Sequence, residues 1–168
     1  MQHLTMLTEL DLSYNAIESL DSWYTKLGNV KQLHLAGNKI SSLNGLHKLY
    51  SLEFLDVRDN NVSSPEDIKS VGSLPCLDHL ILRGNPIRHV IEYRTKVLEH
   101  FGERAVEVKL DSRKPDQREV DTILVRLALR KAREEKEKQI QRKTLEINEQ
   151  VKLVFSHRPI LLFSFSVR

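Results

Sequence analysis

His34, Asp56 and His79 supply the two residue types most used for metal ligation and for proton transfer, imidazole and carboxylate. They fall on short segments of alternating apolar residues, which places them on neighbouring strands. His34 and His79 are then two strand spacings apart, at ~4.7–4.9 Å each, too far to share a tetrahedral ion. The single cysteine, Cys76, lies between Pro75 and Leu77 and is expected to pack as a small apolar residue on the convex side. The chain carries no phosphate-binding glycine loop, no nucleophile elbow and no paired-carboxylate motif. An open sheet also lacks the water-excluding cleft that catalysis needs. The expectation is a protein that is not an enzyme, with no catalytic residue, metal or cofactor.

The elements that position these side chains are repeats. Four segments align: LTELDLSYNAI from Leu7, VKQLHLAGNKI from Val30, LEFLDVRDNNV from Leu52 and LDHLILRGNPI from Leu77. Each follows L-x-x-L-x-L-x-x-N-x-I with aliphatic exchanges, which is the leucine-rich repeat pattern. Asn15, Asn38, Asn60 and Asn85 recur at intervals of 23, 22 and 25 residues. The L-x-L core of each repeat reads as a short strand with alternate side chains inward. Leu10 and Leu12, Leu33 and Leu35, Leu55 and Val57, and Leu80 and Leu82 therefore point into the core. Each asparagine turns the chain off the sheet, and its amide can satisfy backbone groups that the turn leaves unpaired. The four are expected to form a ladder.

The return limbs place apolar residues three apart, as in Leu43, Leu46, Leu49 and Leu52, a spacing suited to 3₁₀ turns. Ser64-Pro65-Glu66-Asp67 combines a cap with a first-turn proline and predicts a short helix over about 65–72. The fold class expected is therefore an α/β leucine-rich repeat solenoid: a curved parallel sheet, short helical or 3₁₀ convex limbs, a C-terminal helical cap and an extended α-helix. The cap is a helix over about 90–101 that lays Tyr93, Val97, Leu98 and Phe101 across the last repeat, since an open solenoid end exposes core.

Outward positions between the core leucines form the candidate binding face: Glu9, Asp11 and Ser13; Gln32, His34 and Ala36; Phe54, Asp56 and Arg58; His79, Ile81 and Arg83. Phe54 and Ile81, apolar residues on adjacent strands, read as an anchor patch for a protein partner. Asp11 and Asp56 on one side, with Arg58 and Arg83 on the other, read as its charged rim. Isolated exposed apolar residues are also ordinary on any surface, and the polar surround favours the partner reading.

The repeat spacing with I-x-x-L-x-x-L on its back is similar to the leucine-rich subfamily of intracellular protein phosphatase 1 regulators. Asn85-Pro86-Ile87, Tyr93-Arg94, Val97-Leu98, Phe101 and Leu110-Asp111 resemble the C-terminal cap of those proteins. The wording TKLGNVKQLHLAGNKISSLNGLHKLYSLEFLDVRDN, VGSLPCLDHLILRGNPI and EYRTKVLEHFGERAVEV resembles the nischarin family (imidazoline-receptor antisera-selected proteins) over about residues 7–112. That resemblance implies a cytoplasmic scaffold, peripheral to endosomes through a phox-homology domain ahead of the repeats. It would bind integrin cytoplasmic tails, Rac-type GTPases and their kinases, and affect cell migration. Neither that lipid-binding domain nor the family's long later region is present here, so a fragment or shortened form is expected.

The domain organisation expected is repeats over 1–89, cap over 90–112, a basic amphipathic to charged helix over 113–150 and an apolar tail over 151–168. Val120, Ile123, Leu124 and Leu127 are spaced i, i+3, i+4, i+7 on that helix. From Arg130 to Lys143 nearly every residue is charged, with Glu134 and Lys138 as a supporting pair. Residues 1–112 hold 12 Lys and Arg against 15 Asp and Glu, a balance of −3. Residues 113–168 hold 14 against 8, a balance of +6. An acidic body with a basic tail permits an alternative, an adaptor whose tail helix binds anionic lipid or nucleic acid and so touches a membrane peripherally. Nucleic acid is the less favoured target, because no aromatic for base stacking occurs between Arg113 and Glu149. The tail VKLVFSHRPILLFSFSVR has strand-forming composition, and neither half is long enough to span a bilayer. One cysteine and no leader-like segment fit a reducing, cytoplasmic setting.

Overall fold

The computed structural model describes residues 6–156. Five parallel strands form one sheet in sequence order: β1 (Glu9–Asp11), β2 (Gln32–His34), β3 (Phe54–Asp56), β4 (His79–Ile81) and β5 (Lys109–Leu110). Register is uniform, Leu10 beside Leu33, Leu33 beside Leu55, Leu55 beside Leu80 and Leu80 beside Leu110. Those central leucines face inward, and the last four are fully buried. The connections behind the sheet are 3₁₀ turns at Trp23–Thr25, Asn44–Leu46 and Pro65–Ile68, the last running into α1 (Lys69–Gly72). Three-residue spacing suits such turns, and Leu43, Leu46, Leu49 and Leu52 are all fully buried. At Ser64 both arms of a capping box form: its hydroxyl accepts the Glu66 amide, and Asp67 accepts the Ser64 amide at 3.0 Å.

The fold is thus a parallel-sheet solenoid with 3₁₀ and short helical convex limbs and a long C-terminal helix. A fifth strand adds to the four repeats legible in sequence. It follows a 3₁₀ turn at Pro86–His89, helix α2 (Tyr93–Glu99) and a 3₁₀ turn at Gly102–Val106, which carry Tyr93, Val97, Leu98, Phe101 and Ala105 into the core. Arg104 holds this segment to the fourth repeat by donating to the carbonyls of Leu74 and Leu77.

The residue preceding each asparagine of the repeat adopts left-handed backbone: Tyr14 (φ 57°), Gly37 (φ 65°), Asp59 (φ 53°) and Gly84 (φ 77°). Large and small alternate for a steric reason. A Cβ on Gly37 would stand 2.6 Å from the Tyr14 ring, and one on Gly84 would stand 1.9 Å from the Asp59 carboxylate. Each glycine therefore receives the side chain of the preceding repeat.

Two compact units divide at Leu127 and Ala128. In the first, the opening turns of α3 (Gln117–Ser156) bury Ile123 and Leu127. Leu124 does not join that stripe; it is about half exposed. Arg94 anchors these turns by donating to Glu119 at 2.6 Å and to the carbonyls of Leu110 and Arg113. Arg126 pairs with Glu92 and, at 2.8 Å, with Glu99.

The second unit is the remainder of α3, in which every described residue from Ala128 to Ser156 is exposed. Glu134 pairs with Arg130 at 3.9 Å, one turn before it, and not with the expected Lys138 one turn after it. Val151–Ser156, read from composition as strand, continue the helix; the rest of the apolar tail lies outside the described residues. No helix among the described residues is long and apolar enough to cross a membrane.

Candidate interaction face

Strand alternation aims Glu9, Asp11, Gln32, His34, Phe54, Asp56, His79 and Ile81 away from the core leucines, with Ser13, Ala36, Arg58 and Arg83 continuing the same rows past the strand ends. The centre of this concave face is a tier of three rings. The His34 and Phe54 centroids are 5.1 Å apart, and those of Phe54 and His79 are 6.0 Å apart. All three side chains are partly exposed. Their planes are tilted by 38° and 33°, an arrangement that leaves ring edges and the Phe54 surface available to a visiting apolar group.

A polar neighbour fixes one imidazole and not the other. The His79 Nδ1 lies 2.8 Å from the Asp78 carboxylate, and the His34 Nε2 lies 3.8 Å from Glu9, with no hydrogen-bond partner of its own. Hydrogen bonding by the Ser13 side chain, and after it by the Ser13 amide at 2.9 Å, holds the Asp11 carboxyl below the usual carboxylate range.

Three sequence expectations about particular residues require correction. Ala36, expected on the open face, is buried. Asp56 is not part of an exposed rim: it is buried, with one oxygen accepting the Arg58 amide at 3.0 Å and the other pairing with the Arg58 guanidinium at 2.9 Å. The next residue but one folds back over it, which alternation alone does not reveal. Cys76 is exposed rather than packed; Leu74 and Leu77 on either side of the Pro75-Cys76 pair take the core positions.

Lys109 joins the face by pairing in register with His79. Sequence reading assigned this stretch to the cap, because β5 has two residues and no asparagine follows it. The signal available was the apolar alternation of Val108 and Leu110.

The asparagines lie behind this face, at the turn. Asn38 donates to the Leu12 and Leu35 carbonyls and accepts the Ile17 amide; Asn60 donates to Leu35 and Val57 and accepts Ile40; Asn85 donates to Val57 and Leu82 and accepts Val62. Each of these three thereby ties its own repeat to the preceding one. Asn15 is exposed and donates within its own repeat, to Leu12 and Ser13.

Among the described residues no cluster of three or more His, Cys, Asp or Glu side chains is placed to hold a metal ion. A hollow of about 650 Å³ beside the last turns is lined by Asn60, Asn61, Gly84, Asn85, Pro86, Arg88 and His89. It holds neither a nucleophile–base pair nor a carboxylate dyad.

The leucine rich repeat family model matches residues 5–62. The chain is 32% identical over 87 residues to human geranylgeranyl transferase type-2 subunit alpha, covering 52% of this chain and 15% of that protein. It is 36% identical over 73 residues to leucine-rich repeat-containing protein 23 of Xenopus tropicalis, covering 43% and 21%. With human serine/threonine-protein kinase 11-interacting protein it shares 30% over 105 residues, covering 62% and 10%. It thus spans only about a tenth to a fifth of these relatives. Among solved structures, one from the Drosophila melanogaster SNF/U2A' complex superposes with a TM-score of 0.59 at 24% identity, covering 72% of this chain and 68% of that one. The chain is a leucine-rich-repeat-fold protein related to a range of leucine-rich repeat proteins. That fold is consistent with a protein-interaction scaffold.

Proposed function

We propose that the chain is a nischarin-like signalling scaffold whose concave face takes the partner, with Phe54 as the anchor. The observation that carries this reading is the His34–Phe54–His79 tier, an apolar centre within a polar surround on the one sheet face not used by the core. Glu9, Asp11, Gln32, Asp56, Arg58, Ile81 and Arg83 complete the proposed contact surface, Asp56 through the guanidinium it holds. The sequence wording supports the family, and through it integrin cytoplasmic tails, Rac-type GTPases and their kinases as partners, in the cytoplasm and at endosomes. A relative whose name describes it as interacting with a serine/threonine kinase is in keeping with a partner of that class.

The test is direct binding of labelled integrin cytoplasmic-tail peptides and of a Rac-type GTPase to three proteins. These are the wild type, Phe54→Ala with Ile81→Glu, and a chain stopped after Ala128, which keeps the buried Ile123 and Leu127. Loss of binding in the double variant alone supports the concave face. Loss in the shortened chain alone, with binding to anionic vesicles that weakens steeply with salt, transfers the function to the basic helix. Full binding by all three proteins removes both readings.

A further inference from the structure

The concave face has an electrical direction. The charges near the centre are met locally: Arg58 pairs with Asp56 at 2.9 Å, Lys31 with Glu53 at 2.8 Å at the foot of the strands, and the Asp78 carboxylate lies 2.8 Å from the His79 ring. What remains is segregated. Glu9 and Asp11 on β1 are exposed carboxylates, and among the described residues the His34 ring is the one basic group beside them. At the other end are Arg83, exposed beyond β4, and Lys109 on β5, and neither has a carboxylate partner among the described residues. Asp111, two residues past Lys109, accepts the Leu82 amide and the Tyr93 hydroxyl. The aromatic tier lies between the two ends.

From this arrangement we infer that the occupant of the face is an extended dipolar peptide segment lying across the strands. Its basic end sits over Glu9 and Asp11, a bulky apolar side chain rests on Phe54, and its acidic end reaches Arg83 and Lys109. Four strand spacings separate β1 from β5, roughly 19 Å, which about six extended residues span. Complementary charge at both ends fixes register and disfavours uniformly charged competitors. The inference rests on the concave-face reading and specifies its partner's chemistry.

The experiment uses three synthetic peptides of equal length with the same central leucine: one basic at one end and acidic at the other, one basic at both ends, one acidic at both. Affinities are measured by fluorescence anisotropy at low salt. The wild type is expected to favour the mixed peptide by about tenfold. Arg83→Glu with Lys109→Glu makes both ends of the face acidic and moves the preference to the basic peptide. Glu9→Lys with Asp11→Lys moves it to the acidic one. An unchanged ranking in all three proteins, or no binding of the mixed peptide to the wild type, overturns the inference. A Phe54→Ala control that binds every peptide as well as the wild type shows instead that the concave face is not the site.

Discussion

The Tyr93 hydroxyl donates to one oxygen of Asp111 at 2.8 Å, and the other oxygen of that carboxylate accepts the Leu82 amide at 2.8 Å. Asp111 stands where the chain leaves β5 in left-handed backbone (φ 52°), so its side chain takes over a bond that a continuing strand would make with its carbonyl. One carboxylate thus joins the cap helix to the sheet.

Tyr93→Phe is expected to destabilise the protein by about 1–3 kcal/mol at neutral pH, since Asp111 loses a buried donor. Burial, reinforced by the negative charge of Asp111, holds the Tyr93 hydroxyl well above its ordinary value. The folded state therefore keeps a proton that the unfolded chain releases at about pH 10. This contribution is complete below that pH and is lost as the solution becomes more alkaline. Denaturant midpoints of wild type and variant should converge from pH 8 to pH 11, and a constant gap would contradict the assignment.

Asn38→Ala is expected to cost about 1–3 kcal/mol, because the Leu12 and Leu35 carbonyls and the Ile17 amide lose their partner together. Asn15→Ala should cost less, as its bonds are local and open to water. Equal urea midpoints for the two variants would show that the bonds between repeats add nothing.

Gly45→Ala tests how closely the convex limbs approach. A Cβ there would stand 1.6 Å from the Leu20 carbonyl oxygen, so backbone must move, with an expected loss of about 1–3 kcal/mol or more. Gly28→Ala is the control, since nothing lies within 4 Å of its Cβ. Similar melting temperatures for the two variants would contradict the packing of the second convex limb on the first.

Phe101→Ala should cost about 3–5 kcal/mol as a large ring leaves the buried seam beneath the cap. Wild-type thermal stability in that variant would mean that the ring does not help seal the end of the core.

Most of the solenoid was legible because its causes are local and periodic. The L-x-L strands, the three-residue spacing of the convex limbs and the Ser64 capping box each follow from residues close together in sequence. What escaped depends on neighbours distant in the chain. β5 is a strand because β4 offers it an edge, and two residues cannot announce that alone. Asp56 is buried because Arg58 covers it, whereas alternation assigns it only a direction. Leu124 sits on the helical apolar stripe by spacing, yet only Ile123 and Leu127 of that stretch are buried. The candidate face was legible as rows of outward residues; the place of Lys109 on it was not, because Lys109 enters it only through β5.

The alternation of Tyr14, Gly37, Asp59 and Gly84 bears on how such a chain can lengthen. Each glycine is the receptacle for the bulkier residue one repeat earlier. Copying a single repeat in tandem sets either two receptacles side by side, leaving a gap, or two bulky residues against each other. Copying two adjacent repeats together preserves the pairing at every junction. Lengthening by a doublet of about 45 residues, two turns of the usual length, would therefore keep the large-against-small fit that an odd step breaks.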